Sequence, residues 1–127
     1  MKKFNYIASA KRTFKIESSA ISSLASQIDT NFTQLCDSIR SSKGKFIIMG
    51  VGKSGHIGQK ISATLSSTGT GSIFVHPTEA AHGDMGLIEK KDIVFLISNS
   101  GETDEIINIL PSLKRSSHKL ASLTSNN

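Results

Sequence analysis

The sequence contains a single cysteine, no long apolar run and no run of basic residues, and each absence excludes a class of protein. Cys36 has no partner for an internal disulfide, which suits a reducing compartment. Its place in a helical apolar pattern predicts a buried packing residue. No stretch approaches bilayer length, and Lys11, Arg12 and Lys15 interrupt any apolar core near the amino terminus. Neither a membrane span nor a signal peptide is therefore expected, and the predicted location is the cytoplasm. Basic residues outnumber acidic ones by 15 to 10, a formal net charge of +5, but they are scattered. With no aromatic interleaving and no zinc-finger spacing, nucleic acid is not the predicted partner. A solvated basic surface that attracts small anions is the simpler reading. At 127 residues, 37% hydrophobic and 20% charged, the chain has the makeup of one modest globular domain with one core.

The first 42 residues are predicted to be helical and amphipathic. Phe4, Ile7, Phe14, Ile16, Ala20, Ile21, Leu24 and Ile28 form one uneven apolar stripe, and Phe32, Leu35, Cys36 and Ile39 form another. The break falls near Asp29-Thr30-Asn31, which are good N-cap residues. Ser41-Ser42-Lys43-Gly44 reads as the helix stop before the first strand.

Residues 45–49 read as a buried parallel strand, short, apolar and ended by glycine. From Lys53 to about Ser67 the spacing turns helical, with Ile57, Ile61, Thr64 and Leu65 predicted on one face. The intervening Gly50-Val51-Gly52-Lys53-Ser54-Gly55 therefore opens a helix, whose free N–H groups and positive dipole end suit an anion, above all phosphate. A Walker A loop would need glycine five positions before Gly52, where Ile47 stands. The dinucleotide pattern Gly50-x-Gly52-x-x-Gly55 fits, but the next strand, residues 72–75, ends in His76-Pro77 where a ribose-binding acid is required. A sugar-phosphate site needs a second polar loop from a neighbouring strand.

That loop exists in the sequence. Residues 92–97 form another apolar strand, which runs into Ser98-Asn99-Ser100-Gly101-Glu102-Thr103-Asp104-Glu105 before a helical stretch carrying Ile106, Ile109, Leu110 and Leu113. Hydroxyls at 98, 100 and 103, with the N–H groups of the helix start, can wrap a phosphate without a metal. Taken singly, Ser100 or Thr103 reads equally well as a helix cap and Glu102 or Glu105 as an acid answering the dipole. Taken together, they sit where an open α/β sheet binds its ligand. Between the two loops lies a polar stretch with Pro77 at a predicted helix start. His76, Glu79, His82 and Asp84 match no standard zinc spacing, so no metal is predicted, and His76, Glu79 and His82 are assigned to the pocket or a subunit contact. Met85 to Ile88 read as core, residues 89–92 as an exposed turn and residues 119–123 as a fourth strand, with Thr124-Ser125 at its carboxyl edge.

The paired loops resemble those of the sugar isomerase (SIS) domain. Residues 50–58, Ser67-Thr68-Gly69-Thr70, residues 76–84 and residues 98–105 narrow the resemblance to the D-arabinose 5-phosphate isomerases of Gram-negative bacteria, from about Asn31 onward. The resemblance implies a three-layer αβα sandwich with a parallel, flavodoxin-like sheet over residues 43–127, preceded by a helical arm, residues 1–42, that packs on the domain or on another subunit. It implies a homotetramer and interconversion of D-ribulose 5-phosphate and D-arabinose 5-phosphate, the entry step to Kdo for lipopolysaccharide or capsule. No cofactor is implied.

Such an isomerisation runs through an enediolate and needs an acid/base and a group that steadies an oxyanion. Lys53 is assigned as the cation and Glu105 as the acid/base, since both open helices at the same sheet edge and match polar positions of the family. Gly52, Ser54, Gly55, His76, Glu79, His82, Ser98, Asn99, Ser100, Gly101 and Thr103 are assigned to substrate and phosphate. Family members continue with a further strand and helix, a glutamate, a histidine and usually two CBS modules, so the domain is expected to be incomplete at its carboxyl end. Two functions stay open: the isomerase, and a non-catalytic sugar-phosphate-binding module.

Overall fold

The computed structural model describes residues 4–116 and 119–126. The chain divides into two compact units, residues 1–36 and 37–127.

In the first unit α1 spans Tyr6–Leu24 and passes through a 3₁₀ turn, Ala25–Gln27, towards α2, Thr30–Ser41, which crosses the division between the units. The expected helix thus starts at Tyr6; residues 1–3 lie outside the described residues. Asn5 caps α1, its Oδ1 accepting the Ala8 N–H at 2.9 Å. The break comes where expected, with Asp29 Oδ1 accepting the Asn31 N–H at 2.9 Å. The apolar stripe of α1 is exposed, Phe14 by 70% and Ile21 by 69%. Cys36 is exposed too, contrary to expectation. Leu35 and Ile39, four positions apart, carry the half-buried face of α2, and Cys36 is turned about 100° from Leu35.

The second unit is built on four parallel strands, β1 (Phe46–Gly50), β2 (Ser72–Phe74), β3 (Ile93–Ile97) and β4 (Lys119–Leu123), in the order β2-β1-β3-β4. β1 and β3 are buried throughout, which is why both read as continuous apolar runs. β4 is less covered: Leu120 and Ala121 are half-buried and Leu123 is exposed. On one face Ile47, Met49, Val94 and Leu96 form the core with Ile106, Ile109 and Leu113 of α5 (Asp104–Arg115), and with Ala80 of the short α4 (Pro77–Ala81). Ile88 joins this core and Met85 packs against it, while Leu87 of the 3₁₀ turn Asp84–Leu87 is exposed.

The opposite face of β1 and β2 carries α3, Gly52–Ser67, and of the expected face only Ile61 and Leu65 are half-buried. Ile57 is 54% exposed and Thr64 is exposed, whereas Gly55, Gly58 and Ser62 are buried. The helix approaches too closely for larger side chains. A Cβ on Gly58 would stand 3.0 Å from Ile48 Cγ2 and 3.1 Å from the Phe74 ring, and one on Gly55 would stand 2.8 Å from the Gly50 carbonyl oxygen.

Asp92 also differs from expectation. It is not part of an exposed turn but fully buried, at the amino edge of the sheet. Its Oδ1 accepts the Lys45 N–H at 2.7 Å, its Oδ2 accepts the Glu89 N–H at 2.9 Å, and the Lys45 ammonium lies 3.0 Å from Oδ2. Burial pushes the carboxyl upward, but the two backbone donors and the lysine outweigh it and hold its pKa below the ordinary value. The hydrogen bonds to Asp92 and then Glu89 raise the pKa of Lys45.

Candidate functional site

The candidate site lies at the carboxyl edge of the sheet, where β1 and β3 run side by side, Gly50 opposite Ile97. Because β1 pairs with β2 on one side and β3 on the other, the loops leaving β1 and β3 flank a topological switch point, the place where open α/β sheets take ligands.

The loop after β1 is short. Gly52 has φ +56° and opens α3, and Val51, at the N-cap, offers no side-chain acceptor. The first N–H groups of the helix are therefore left for solvent or an anion. Ser54 is half-buried beside them, while Lys53 and His56 are exposed.

The loop after β3 is internally bonded. Ser98 is buried, and its Oγ lies 2.7 Å from Thr103 Oγ1 while accepting the Gly101 N–H at 3.0 Å. Gly101, at φ +74°, makes the bend, and Ser100 Oγ accepts the Glu102 N–H at 3.1 Å. Thr103 occupies the N-cap of α5 but makes no side-chain cap bond, because its hydroxyl is turned to Ser98. Asp104 and Glu105 occupy the first turn of α5, both exposed, where acids complement the dipole. Within the Ser98–Thr103 pair one hydroxyl hydrogen bridges the two oxygens, which leaves the other to donate elsewhere.

The end of β2 contributes less. His76 caps α4, its Nδ1 accepting the Thr78 N–H at 3.3 Å, and is half-buried. Glu79 and His82 are exposed. Among the described residues no group of three or more His, Cys, Asp or Glu is arranged to hold a metal.

The SIS domain family matches residues 38–127. The chain belongs to that family. As an SIS domain it has close relatives: it is 50% identical over 122 residues to the Pseudomonas aeruginosa protein named arabinose 5-phosphate isomerase KdsD, a match that covers 96% of this chain and 37% of the relative. It is 47% identical over 121 residues to arabinose 5-phosphate isomerase KpsF of Escherichia coli O6:H1, covering 94% and 37%. The solved structure of Escherichia coli CFT073 c3406 in complex with arabinose 5-phosphate superposes with a TM-score of 0.92 at 44% identity, covering 99% of this chain and 67% of that one. The chain thus spans a little over a third of the length of the two named relatives. The three-layer α/β architecture with a parallel sheet is that of SIS domains.

Within this SIS domain, the serine loop is the part of the expected site that the fold joins by direct contact, through Ser98, Gly101 and Thr103. Lys53 and Glu105 open the helices that leave the adjacent strands β1 and β3. Glu79 and His82 have no hydrogen bond to either loop among the described residues. Sequence reasoning left residues 124–126 out of the site, yet they bond directly to the serine loop. Ser125 Oγ donates to Asn99 Oδ1 at 2.7 Å and Asn126 Nδ2 donates to the Ser100 carbonyl at 2.8 Å. A run of small polar residues straight after a strand was the available signal.

An open cleft of about 400 Å³ between α5 and β4 touches Ser98, Ser100 and Gly101 at one end. Its floor of Leu96, Ile106, Leu110 and Leu120 is apolar, and neither Lys53, Ser54, His76 nor Glu105 lines it. It lies where β4 is sparsely covered, and Lys114 and Glu102 are the charged residues in its lining.

Proposed function

We propose that this chain carries the sugar-phosphate site of an aldose-ketose isomerase that interconverts D-ribulose 5-phosphate and D-arabinose 5-phosphate through an enediolate. The observation that carries the reading is the hydrogen-bonded serine loop, 98–103, beside the glycine loop, 50–55, at the switch point of the sheet. The names of the relatives and the arabinose 5-phosphate bound to c3406 support the choice of substrate.

In this reading the phosphate sits among the hydroxyls of Ser54, Ser98, Ser100 and Thr103 and the free N–H groups at the start of α3, with Gly52, Gly55 and Gly101 letting the two loops bend close to it and Asn99 contributing from the serine loop. Lys53 steadies the oxyanion that forms as a proton moves between the two carbons, and Glu105 moves a proton as acid/base. His76, Glu79 and His82 line the sugar side or a subunit contact. The product would feed Kdo synthesis in the cytoplasm.

Residues 1–42 act in the same reading as an arm that docks on neighbouring copies in a homotetramer, with residues 43–127 as the sugar-phosphate domain. The exposed apolar side chains Ile7, Phe14, Ile21 and Leu24 support that assignment, since helical spacing puts them on one face of α1.

The test is isomerisation of ribulose 5-phosphate by the purified chain with a chelator present, alongside Lys53→Ala and a thermal-shift titration with arabinose 5-phosphate. Turnover that falls by about 10²–10³ in Lys53→Ala is expected. A ligand-dependent shift without turnover would favour a binding module, and neither signal from folded protein would sink the sugar-phosphate reading.

A further inference from the structure

We infer that residues 124–126 set the ligand-holding conformation of the serine loop, with Ser125 and Asn126 as positioning residues that act through the peptide groups of Asn99 and Ser100. The inference rests on the sugar-phosphate reading of that loop.

Left to itself, a loop of Ser, Asn and Gly has many conformations, and Asn99 and Ser100 are exposed. The segment after β4 removes that freedom. The Ser98 N–H donates to the Leu123 carbonyl at 3.0 Å, extending the β3–β4 ladder, and the Ser125 N–H donates to the Asn99 carbonyl at 3.1 Å. The Ser125 hydroxyl holds Asn99 Oδ1 at 2.7 Å, and the Asn126 carboxamide holds the Ser100 carbonyl at 2.8 Å. Asn126 is itself fixed, its N–H donating to Thr124 Oγ1 at 3.1 Å. Thr124 Oγ1 would lie 3.0 Å from a Cβ at Gly101, so this segment also abuts the bend.

The consequence follows from peptide geometry. The peptide bonds of this loop are trans, so the C=O and the N–H of one unit point in opposite directions. Drawing the Asn99 carbonyl toward the β4 side turns the Ser100 N–H the other way, toward the β1 side, where the glycine loop begins. Drawing the Ser100 carbonyl toward Asn126 likewise turns the Gly101 N–H inward, where it meets Ser98 Oγ at 3.0 Å. Ser98 Oγ is thereby held in place as an acceptor, which fixes where the spare hydroxyl hydrogen of the Ser98–Thr103 pair is presented to an anion. Three residues that need not touch the ligand would thus aim two of its donors.

The experiment compares the parent chain with Ser125→Ala, Asn126→Ala and Ser125→Thr. Binding of arabinose 5-phosphate and of inorganic phosphate is measured by calorimetry, with the Ser100 amide followed by ¹⁵N NMR and the melting temperature as control. Ser125→Ala and Asn126→Ala are each expected to weaken binding about tenfold, the scale of one lost polar contact, and to shift the Ser100 amide. The melting temperature should barely move, since both side chains are exposed. Ser125→Thr, which keeps the hydroxyl, should restore binding and the amide position. In a turnover assay KM should rise with kcat unchanged. A parent that binds and alanine variants that bind equally well would overturn the inference alone. So would weakened binding explained by a lowered melting temperature and not restored by threonine. A folded parent that binds neither ligand would overturn the sugar-phosphate reading and this inference with it.

Discussion

Ser98 Oγ and Thr103 Oγ1 lie 2.7 Å apart, a hydroxyl pair that spans the loop between β3 and α5 and takes Thr103 away from capping its own helix. The pair closes the loop from within and keeps one hydrogen to offer. Thr103→Val removes the partner at almost constant volume. We expect it to weaken arabinose 5-phosphate binding at least tenfold, while Thr103→Ser stays within about threefold of the parent, as calorimetry would read. Equal binding by the valine and serine variants would dissociate the pair from the ligand.

Gly55 permits the contact between α3 and β1. In Gly55→Ala the new methyl would stand 2.8 Å from the Gly50 carbonyl oxygen, a backbone atom that cannot swing aside. The helix gains up to about 1 kcal/mol of propensity but loses about 1–3 kcal/mol to overpacking, so net destabilisation is expected. Urea denaturation measures this, and a more stable variant would refute the close approach.

Asp92 makes the fold acid-sensitive. Its folded pKa lies below the unfolded one, so its contribution is complete above the unfolded value, about 3.9, and disappears as pH falls through the folded value. Lys45, with its pKa raised, contributes fully below the unfolded lysine value, about 10.4, and loses that share as pH rises through its folded value. Asp92→Asn should cost about 2–4 kcal/mol at pH 7, because an amide nitrogen would face the Glu89 N–H or the Lys45 N–H. It should also flatten the loss of stability below about pH 4. Parallel pH titrations of the two melting curves would decide it.

The exposed stripe on α1 predicts self-association. Charge placed at Phe14 or Ile21, as in Phe14→Glu or Ile21→Glu, should shift the sedimentation distribution to smaller species while leaving β-sheet circular dichroism intact. A distribution unmoved by both substitutions would remove α1 from the interface.

The strands and the two loops were readable in the sequence because each rests on a local signal. Val94 to Ile97 is apolar at every position as a doubly covered strand must be, and the polar run opens with Ser98, the last buried residue before the exposed Asn99 and Ser100. The face of α3 was only partly readable by the same rule. Ile57 and Ile61 carry the hydrophobic period, but closeness to Ile48 and Phe74 selects the residues with no side chain to spare. Asp92 was misplaced because its charge argued for solvent, and Lys45, which supplies a backbone donor and an ammonium to it, comes from another strand's beginning. The support given to Asn99 by Ser125 depends on β4 lying in register beside β3, a fact about pairing that no stretch of the chain carries alone.

The order β2-β1-β3-β4 gives the site no local existence. In the proposed reading its glycine loop follows β1, its serine loop follows β3, and the segment bonded to the serine loop follows β4, so three strands must be docked before an anion would find its donors. An anion that binds there acts as a reporter of the assembled sheet. It would slow hydrogen exchange of amides deep in β1 and β3 as well as those it touches, and at a hundred times its dissociation constant would stabilise the whole unit by about 2.7 kcal/mol.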